Sequence, residues 1–219
     1  MRFLRFAIVA IGLVAATAFA APAEPKLGVD YIQLASPQPA QVVGKKVEVI
    51  EFFMYHCPHC NVLEPYLAEW VKKEGAAINF KRVHMPYGPN DPEAHLYLTL
   101  EAMGKLDEMH AKVFKAIHVD RVRMADDTVV LNWVVKNGID KAKFLDSWNS
   151  FGVQTKMKRL PQVLSNYKVD SVPTLVIDGR YMTSPSVVDA TRKGLEERAL
   201  MKATLEVLDG LVAKVAKTK

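Results

Sequence analysis

The sequence predicts an α/β chain: one sheet interrupted in its middle by a run of helices. Three observations carry this. The near-continuous apolar run Val47-Glu48-Val49-Ile50-Glu51-Phe52-Phe53 reads as a strand buried on both faces, and it feeds the only two cysteines, Cys57-Pro58-His59-Cys60, at a helix start. Across residues ~87 to ~160, apolar residues recur at helical spacing and strand signals vanish. Strands then return as Thr174-Leu175-Val176-Ile177 and Arg180-Tyr181-Met182, either side of an Asp178-Gly179 hairpin signal.

The chain opens with a leader. Arg2 and Arg5 form a basic start, Phe6 to Phe19 is apolar with only Thr17 interrupting, and Ala18-Phe19-Ala20 is a small-residue cleavage pattern. The apolar run is short of the ~20 residues a membrane span needs, so residues 1–20 read as a secretory signal peptide rather than an anchor helix. Ala21 to Val43 reads as an extended arm with an edge strand at Tyr31-Ile32-Gln33-Leu34. Val47 to Met54 is the central strand. A helix runs from Cys57 to Glu74; Pro58 fits its first turn, Pro65 should kink it and Gly75 ends it. Ile78 to Met85 is the next strand. Helices follow around Leu96, Leu100 and Met103; around Phe114 and Ile117; from Asp126-Asp127-Thr128 to Asn137-Gly138; from Asp140; and from Thr155 to Tyr167. After the hairpin, one last helix carries Leu195, Leu205, Leu208 and Val212. This order is a thioredoxin fold with an inserted all-helical domain: residues 21–86 and 161–219 form the thioredoxin-like domain and 87–160 the insert.

Half of the residues are apolar, enough for a packed core, and the formal charge is +5. Arg2 and Arg5 are two of the 29 basic residues against 24 acidic ones, so without the leader the excess falls to +3. That is mild and lacks the clustered basic stripe of a nucleic-acid binder. Two cysteines are too few for a disulfide scaffold or a cysteine-only zinc site.

Their spacing points to redox chemistry instead. Residues i and i+3 on one helical turn lie about 5 Å apart between Cα atoms, inside the range a disulfide spans. Cys57 at the helix N-terminus meets free N–H groups and the positive end of the helix dipole, and His59 adds a donor or a charge. Both lower the pKa of Cys57. A stabilised thiolate is a stabilised reduced form, so the disulfide is an oxidant. Cys60, one turn in, should be more buried and act as the resolving thiol. A purely structural disulfide would close only four residues and constrain the unfolded chain little. His56-Cys57-His59-Cys60 could also be read as a copper or zinc site, although successive residues at a helix start converge poorly on one ion. A c-type haem is excluded because Asn61, not His, follows Cys60. Glu51 is an acid inside a buried strand, costly unless paired or used. Val172-Pro173 precedes the returning strand; a cis bond there would turn backbone groups toward Cys57. Phe53, Tyr55, Met85 and Tyr87 could equally be core or a groove around Cys57.

With Cys57-Pro58-His59-Cys60, Glu51-Phe52-Phe53 ahead of it, Val172-Pro173 downstream and Trp148-Asn149-Ser150-Phe151 in a helical insert, the chain resembles the DsbA family of thiol:disulfide oxidoreductases over essentially its whole length beyond the leader. The resemblance implies that Cys57 is the exposed nucleophile, Cys60 the buried resolving thiol, His59 a stabiliser of the thiolate, and Pro173 a cis proline against the disulfide. Val172 would pair with substrate backbone, and Glu51 and Glu64 would assist proton movement near Cys60. Arg82 stands where the best-known members carry lysine, and an arginine does not readily release a proton. Pro65 is more like thioredoxin itself. The implied activity is a periplasmic dithiol oxidase with no cofactor beyond its own disulfide. It would act as a monomer on reduced or unfolded secreted polypeptides and be reoxidised by a DsbB-type membrane quinone oxidoreductase. A disulfide isomerase or reductase is the alternative enzyme, but the stretch from Ala21 to Lys46 is too short for an isomerase's dimerisation arm. A metal-binding or chaperone module is the non-enzyme alternative.

Overall fold

The computed structural model describes residues 24–42 and 44–219; the expected leader lies outside the described residues. Five strands, β1 (Ile32–Gln33), β2 (Val47–Phe53), β3 (Ile78–His84), β4 (Thr174–Ile177) and β5 (Tyr181–Thr183), form one sheet in the order β1-β5-β4-β2-β3. The pair β2–β3 is parallel and the other pairs are antiparallel. Every residue of β2 is buried, as its apolar run requires, and its register sets Glu51 opposite Arg82 on β3.

Helix α1 (Pro58–Glu74) follows β2 directly. Cys57 is its N-cap, and Pro58 occupies the first turn, where a missing N–H is harmless. The helix continues through Pro65 and stops at Gly75, whose φ of 52° lies in the left-handed region. A single 3-10 turn, Gly75–Ala77, then leads into β3. Between β3 and β4 lie five helices: α2 (Pro92–Ala102), α3 (Leu106–His118), α4 (Asp127–Lys136), α5 (Lys141–Trp148) and α6 (Phe151–Tyr167). Side chains of Asp91, Asp126, Asp140 and Ser150 accept first-turn N–H groups of α2, α4, α5 and α6. Ser150 explains why α6 starts at Phe151 rather than at Thr155: its hydroxyl takes the Val153 N–H, one turn earlier than the apolar spacing suggests. This helix runs unbroken across 160/161, the boundary expected between insert and sheet domain.

A short helix not expected from the sequence, α7 (Pro185–Thr191), is capped by Ser184 with Pro185 in its first turn, and the expected closing helix, α8 (Glu197–Ala216), follows. Leu195 sits in the link between them. One apolar cluster joins α8 and α1 to one face of the sheet through Leu63, Leu67, Leu175, Leu208 and Leu211. A second, around Phe53, Leu96, Met109, Phe114 and Phe144, binds the five central helices to the end of β2.

The hairpin shows how closely the arm is fitted. Gly179 has a φ of 63°, its carbonyl accepts the Gln38 N–H at 2.8 Å, and a Cβ there would fall on the Gln38 backbone carbonyl. Gly179→Ala is expected to destabilise the protein by at least about 2 kcal/mol, seen as a lowered denaturant midpoint; an unchanged midpoint would show that the arm yields.

Candidate active site

The central strand and α1 meet at Cys57. Its backbone, with φ −73° and ψ 118°, is extended, as an N-cap requires, and this brings Sγ to the open end of the helix. The sulfur accepts the Cys60 N–H at 3.4 Å and lies 3.6 Å from the Val172 carbonyl oxygen. The Val172–Pro173 peptide is cis. Both cysteines are free thiols. Cys60 is fully buried, and Cys57 is 8% exposed, so the sulfur that the resemblance makes an exposed nucleophile is in fact largely covered.

The two thiols differ sharply in acidity. The Cys57 pKa is lowered to about 6, foremost by a hydrogen bond from the Cys60 thiol. Partial burial opposes this, and the Cys60 and His59 backbone N–H groups and the His59 charge add to it. Burial pushes the Cys60 thiol far up, and its bond to the Cys57 thiolate holds the proton there. Helix geometry therefore contributes more than the His59 ring does. That ring is exposed, and its Nδ1 sits 2.7 Å from Glu197 Oε1.

Beneath the cysteines is a chain of buried charges. Arg82 Nε donates to Glu51 Oε2 at 2.8 Å, and its Nη2 donates to both Glu64 oxygens at 2.9 and 3.0 Å. Glu64 Oε2 lies 3.4 Å from His110 Nε2, and His110 Nδ1 lies 3.0 Å from the Tyr55 hydroxyl. Burial raises the Glu51 pKa to about 7, even against the attraction of Arg82. Burial opposes ionisation of Glu64 too, but the His110 bond and the Arg82 charge outweigh it, and Glu64 is held below the usual range. Glu51 Oε1 is buried with no hydrogen-bond partner among the described residues, and the Glu51 charge helps to raise Cys60. A carboxyl that titrates near neutrality, in electrostatic reach of a thiol that must gain and lose a proton, is suited to exchange with it.

Residues outside the sequence expectations complete the site. His110 projects from α3, and His84 Nε2 accepts the Tyr55 N–H at 3.1 Å; burial lowers the His84 pKa to about 3, so it is neutral. Phe53 and Tyr55 are core, fully buried among these imidazoles, while Tyr87 is 86% exposed. His56 Nδ1 binds Glu93 Oε2 at 2.8 Å, which raises the His56 pKa. His56 and His59 are thus engaged by different carboxylates on α2 and α8. Among the described residues, no group of three or more His, Cys, Asp or Glu side chains is arranged to hold a metal ion.

Two thiols of such unequal acidity, on the first turn of the helix that leaves the central strand of this sheet, define a thioredoxin-fold thiol:disulfide oxidoreductase. Known proteins narrow the class. Residues 66–195 match the DSBA-like thioredoxin domain. The thiol:disulfide interchange protein DsbA of Burkholderia cepacia is 36% identical over 219 residues, covering all of this chain and 99% of the relative. That of Pseudomonas syringae pv. tomato is 36% identical over 216 residues, 96% of each chain. The crystal structure of Pseudomonas aeruginosa DsbA matches with a TM-score of 0.75 and 32% identity, over 88% of this chain and 96% of that one. The chain belongs to the DsbA family of thiol:disulfide interchange proteins.

Proposed function

We propose that the protein is a dithiol oxidase that donates its Cys57–Cys60 disulfide to reduced secreted polypeptides. The unequal acidity of the two thiols carries this reading. A substrate thiolate attacks Cys57 Sγ, the Cys57–Cys60 bond breaks, and Cys60 leaves and takes a proton. A second substrate thiolate then attacks the substrate sulfur of the mixed disulfide. Cys57 departs as a thiolate, the substrate disulfide forms, and the protein holds two electrons. A leaving group with a pKa near 6 makes this second step fast and the return unfavourable. Glu51 exchanges the Cys60 proton, held in place by Arg82, which Glu64 anchors in turn; the arginine itself stays charged. Val172 offers its backbone to the substrate beside Pro173. A cleft of about 450 Å³ lined by His59, Val172, Pro173, Leu195, Leu200 and Met201 seats the chain that follows.

The protein works in the periplasm after loss of residues 1–20, as a monomer, and no nucleic acid takes part. No helix among the described residues is long and apolar enough to cross a membrane. A membrane quinone oxidoreductase of the DsbB type takes the two electrons and restores the disulfide. The thiol pair favours an oxidase over a reductase or isomerase, because a stabilised thiolate drives electrons onto the protein.

The test is the redox equilibrium with glutathione as a function of pH. Reduction of the protein consumes one proton above the Cys57 pKa and two below it, whereas glutathione binds two throughout this range. The reduced fraction at fixed glutathione poise should therefore be constant below pH 6. Above it the equilibrium constant should climb about tenfold per pH unit toward pH 8. A thiolate titration centred near 8.5, with no such break, would overturn the oxidase reading and favour a reductase.

A further inference from the structure

Clefts flank the Cys57 turn on its His59 and His56 sides. The one beyond His59 carries Asp189 and Glu197, the latter engaged by His59. On the other side, beyond His56, are two adjoining clefts of about 470 and 680 Å³ that share His56, Glu93, Arg123, Met124 and Ala125. Arg121 lines the first and Tyr87 the second. The acids on this side are already engaged: Glu93 accepts the His56 ring and backbone N–H, and Asp91 accepts the N–H groups of Tyr87 and Glu93. Arg121 and Arg123 are exposed, and among the described residues neither has a carboxylate partner. Nearby cations differ in this respect. Lys112 pairs with Glu108, Lys156 with Glu101, and Asp120, the immediate neighbour of Arg121, pairs with Lys115 instead. Two unspent guanidinium groups thus face this pair of clefts, Arg121 on the smaller and Arg123 on both; the buried Met124 and His56, the residue preceding the reactive cysteine, are shared, and the exposed Tyr87 stands on the larger.

We infer that this cleft is a specificity site for an acidic side chain of the polypeptide substrate, bound by Arg121 and Arg123 within a few residues of the reacting cysteine. The inference rests on the oxidase reading above and adds a substrate preference to it. Guanidinium groups suit carboxylates because their planar fork offers paired donors, and Tyr87 supplies a flat apolar surface for the residue alongside. A polypeptide fixed to Cys57 by its sulfur would then have an acidic residue held on the His56 side, which orients it as well as selecting it.

The experiment compares two reduced peptides, each with two cysteines able to close a disulfide. They differ only in glutamates or glutamines flanking the first cysteine. The second-order rate with the oxidised protein is followed by stopped flow. At low salt the glutamate peptide should react about five-fold faster, as expected for two exposed charge contacts, and the advantage should shrink as salt is raised. It should fall to near unity in Arg121→Gln/Arg123→Gln and invert in Arg121→Glu/Arg123→Glu. It should persist in Lys141→Gln/Lys143→Gln, which removes the same net charge outside the cleft. Equal rates for the two peptides in the unaltered protein, or a preference lost equally in the lysine variant, would overturn the inference and leave the oxidase reading standing. Failure to oxidise either peptide would overturn both.

Discussion

Replacing Cys57 with serine is expected to reduce disulfide transfer to the uncatalysed background, the largest loss any single substitution should produce. The disulfide that would be donated needs both sulfurs, and Cys57 is the only one with any exposure; Cys60 is sealed beneath it. A serine hydroxyl cannot form the mixed disulfide, whatever the helix end does for a negative charge. Cys60→Ser should differ in kind. The Cys57 thiolate remains, although it loses the Cys60 thiol as a donor, the foremost cause of its low pKa, so that pKa should rise. Mixed with a single-cysteine peptide activated as its disulfide with an acidic small thiol, this variant should accumulate a covalent adduct through Cys57, visible as the summed mass in non-reducing mass spectrometry, because neither the protein nor the peptide then holds a second thiol to release it. Undiminished oxidation of a reduced test protein by Cys57→Ser would defeat the assignment, as would a Cys60→Ser variant that forms no adduct.

What could be seen in the sequence was what is encoded locally. The strand Val47–Phe53, the Cys57–Cys60 turn and the Asp178-Gly179 hairpin each depend on a few adjacent residues, and all three stand where their patterns put them. Helix α7 is equally local, a Ser184-Pro185 start, but seven residues are too few to show a helical period, and the sequence reading gives no element there. The site divides the same way. Its two cysteines follow from spacing. Glu197 reaches His59 from 138 residues away, Glu93 reaches His56 from 37, and His110 reaches Tyr55 from 55, so these partners follow only from the packing of α8, α2 and α3. Phe53 and Tyr55 were ambiguous because an aromatic beside a reactive cysteine can serve as wall or as core. Their burial against His84 and His110 decides for core, and it also explains how buried imidazoles are accommodated there.

The second large effect is on stability and centres on Arg82. Adjacent parallel strands set Arg82 opposite Glu51, and α1 brings Glu64 to the same guanidinium, so one cation serves two buried carboxylates. Arg82→Ala would strip both of their partner and should destabilise the protein by about 3–5 kcal/mol at neutral pH, read from denaturant midpoints. The effect should depend on pH with a definite sign. The Glu64 pKa is depressed in the folded state, so its contribution is present above the ordinary carboxylate range and is lost as pH falls through its folded value. Without Arg82 both carboxyls titrate higher, so the variant should lie furthest below the native protein near pH 8 and approach it near pH 5. Arg82→Lys keeps the charge but not the fork: one ammonium cannot reproduce bonds from Nε to Glu51 and from Nη2 to Glu64. The loss should be about 1–2 kcal/mol. Glu51→Gln in the Arg82→Ala background should recover part of the deficit, because it removes the carboxylate with the greater burial; the coupling between the two changes measures the pair. An Arg82→Ala protein that unfolds at the native midpoint at pH 8 would mean that the carboxylates relax to water and that the triad does not hold the site. If the deficit appears as argued, the arginine has a defined task beneath the cysteines. It keeps two acids ionisable in a dry place, one below neutrality and one close to it, and the charge of the latter is felt by Cys60.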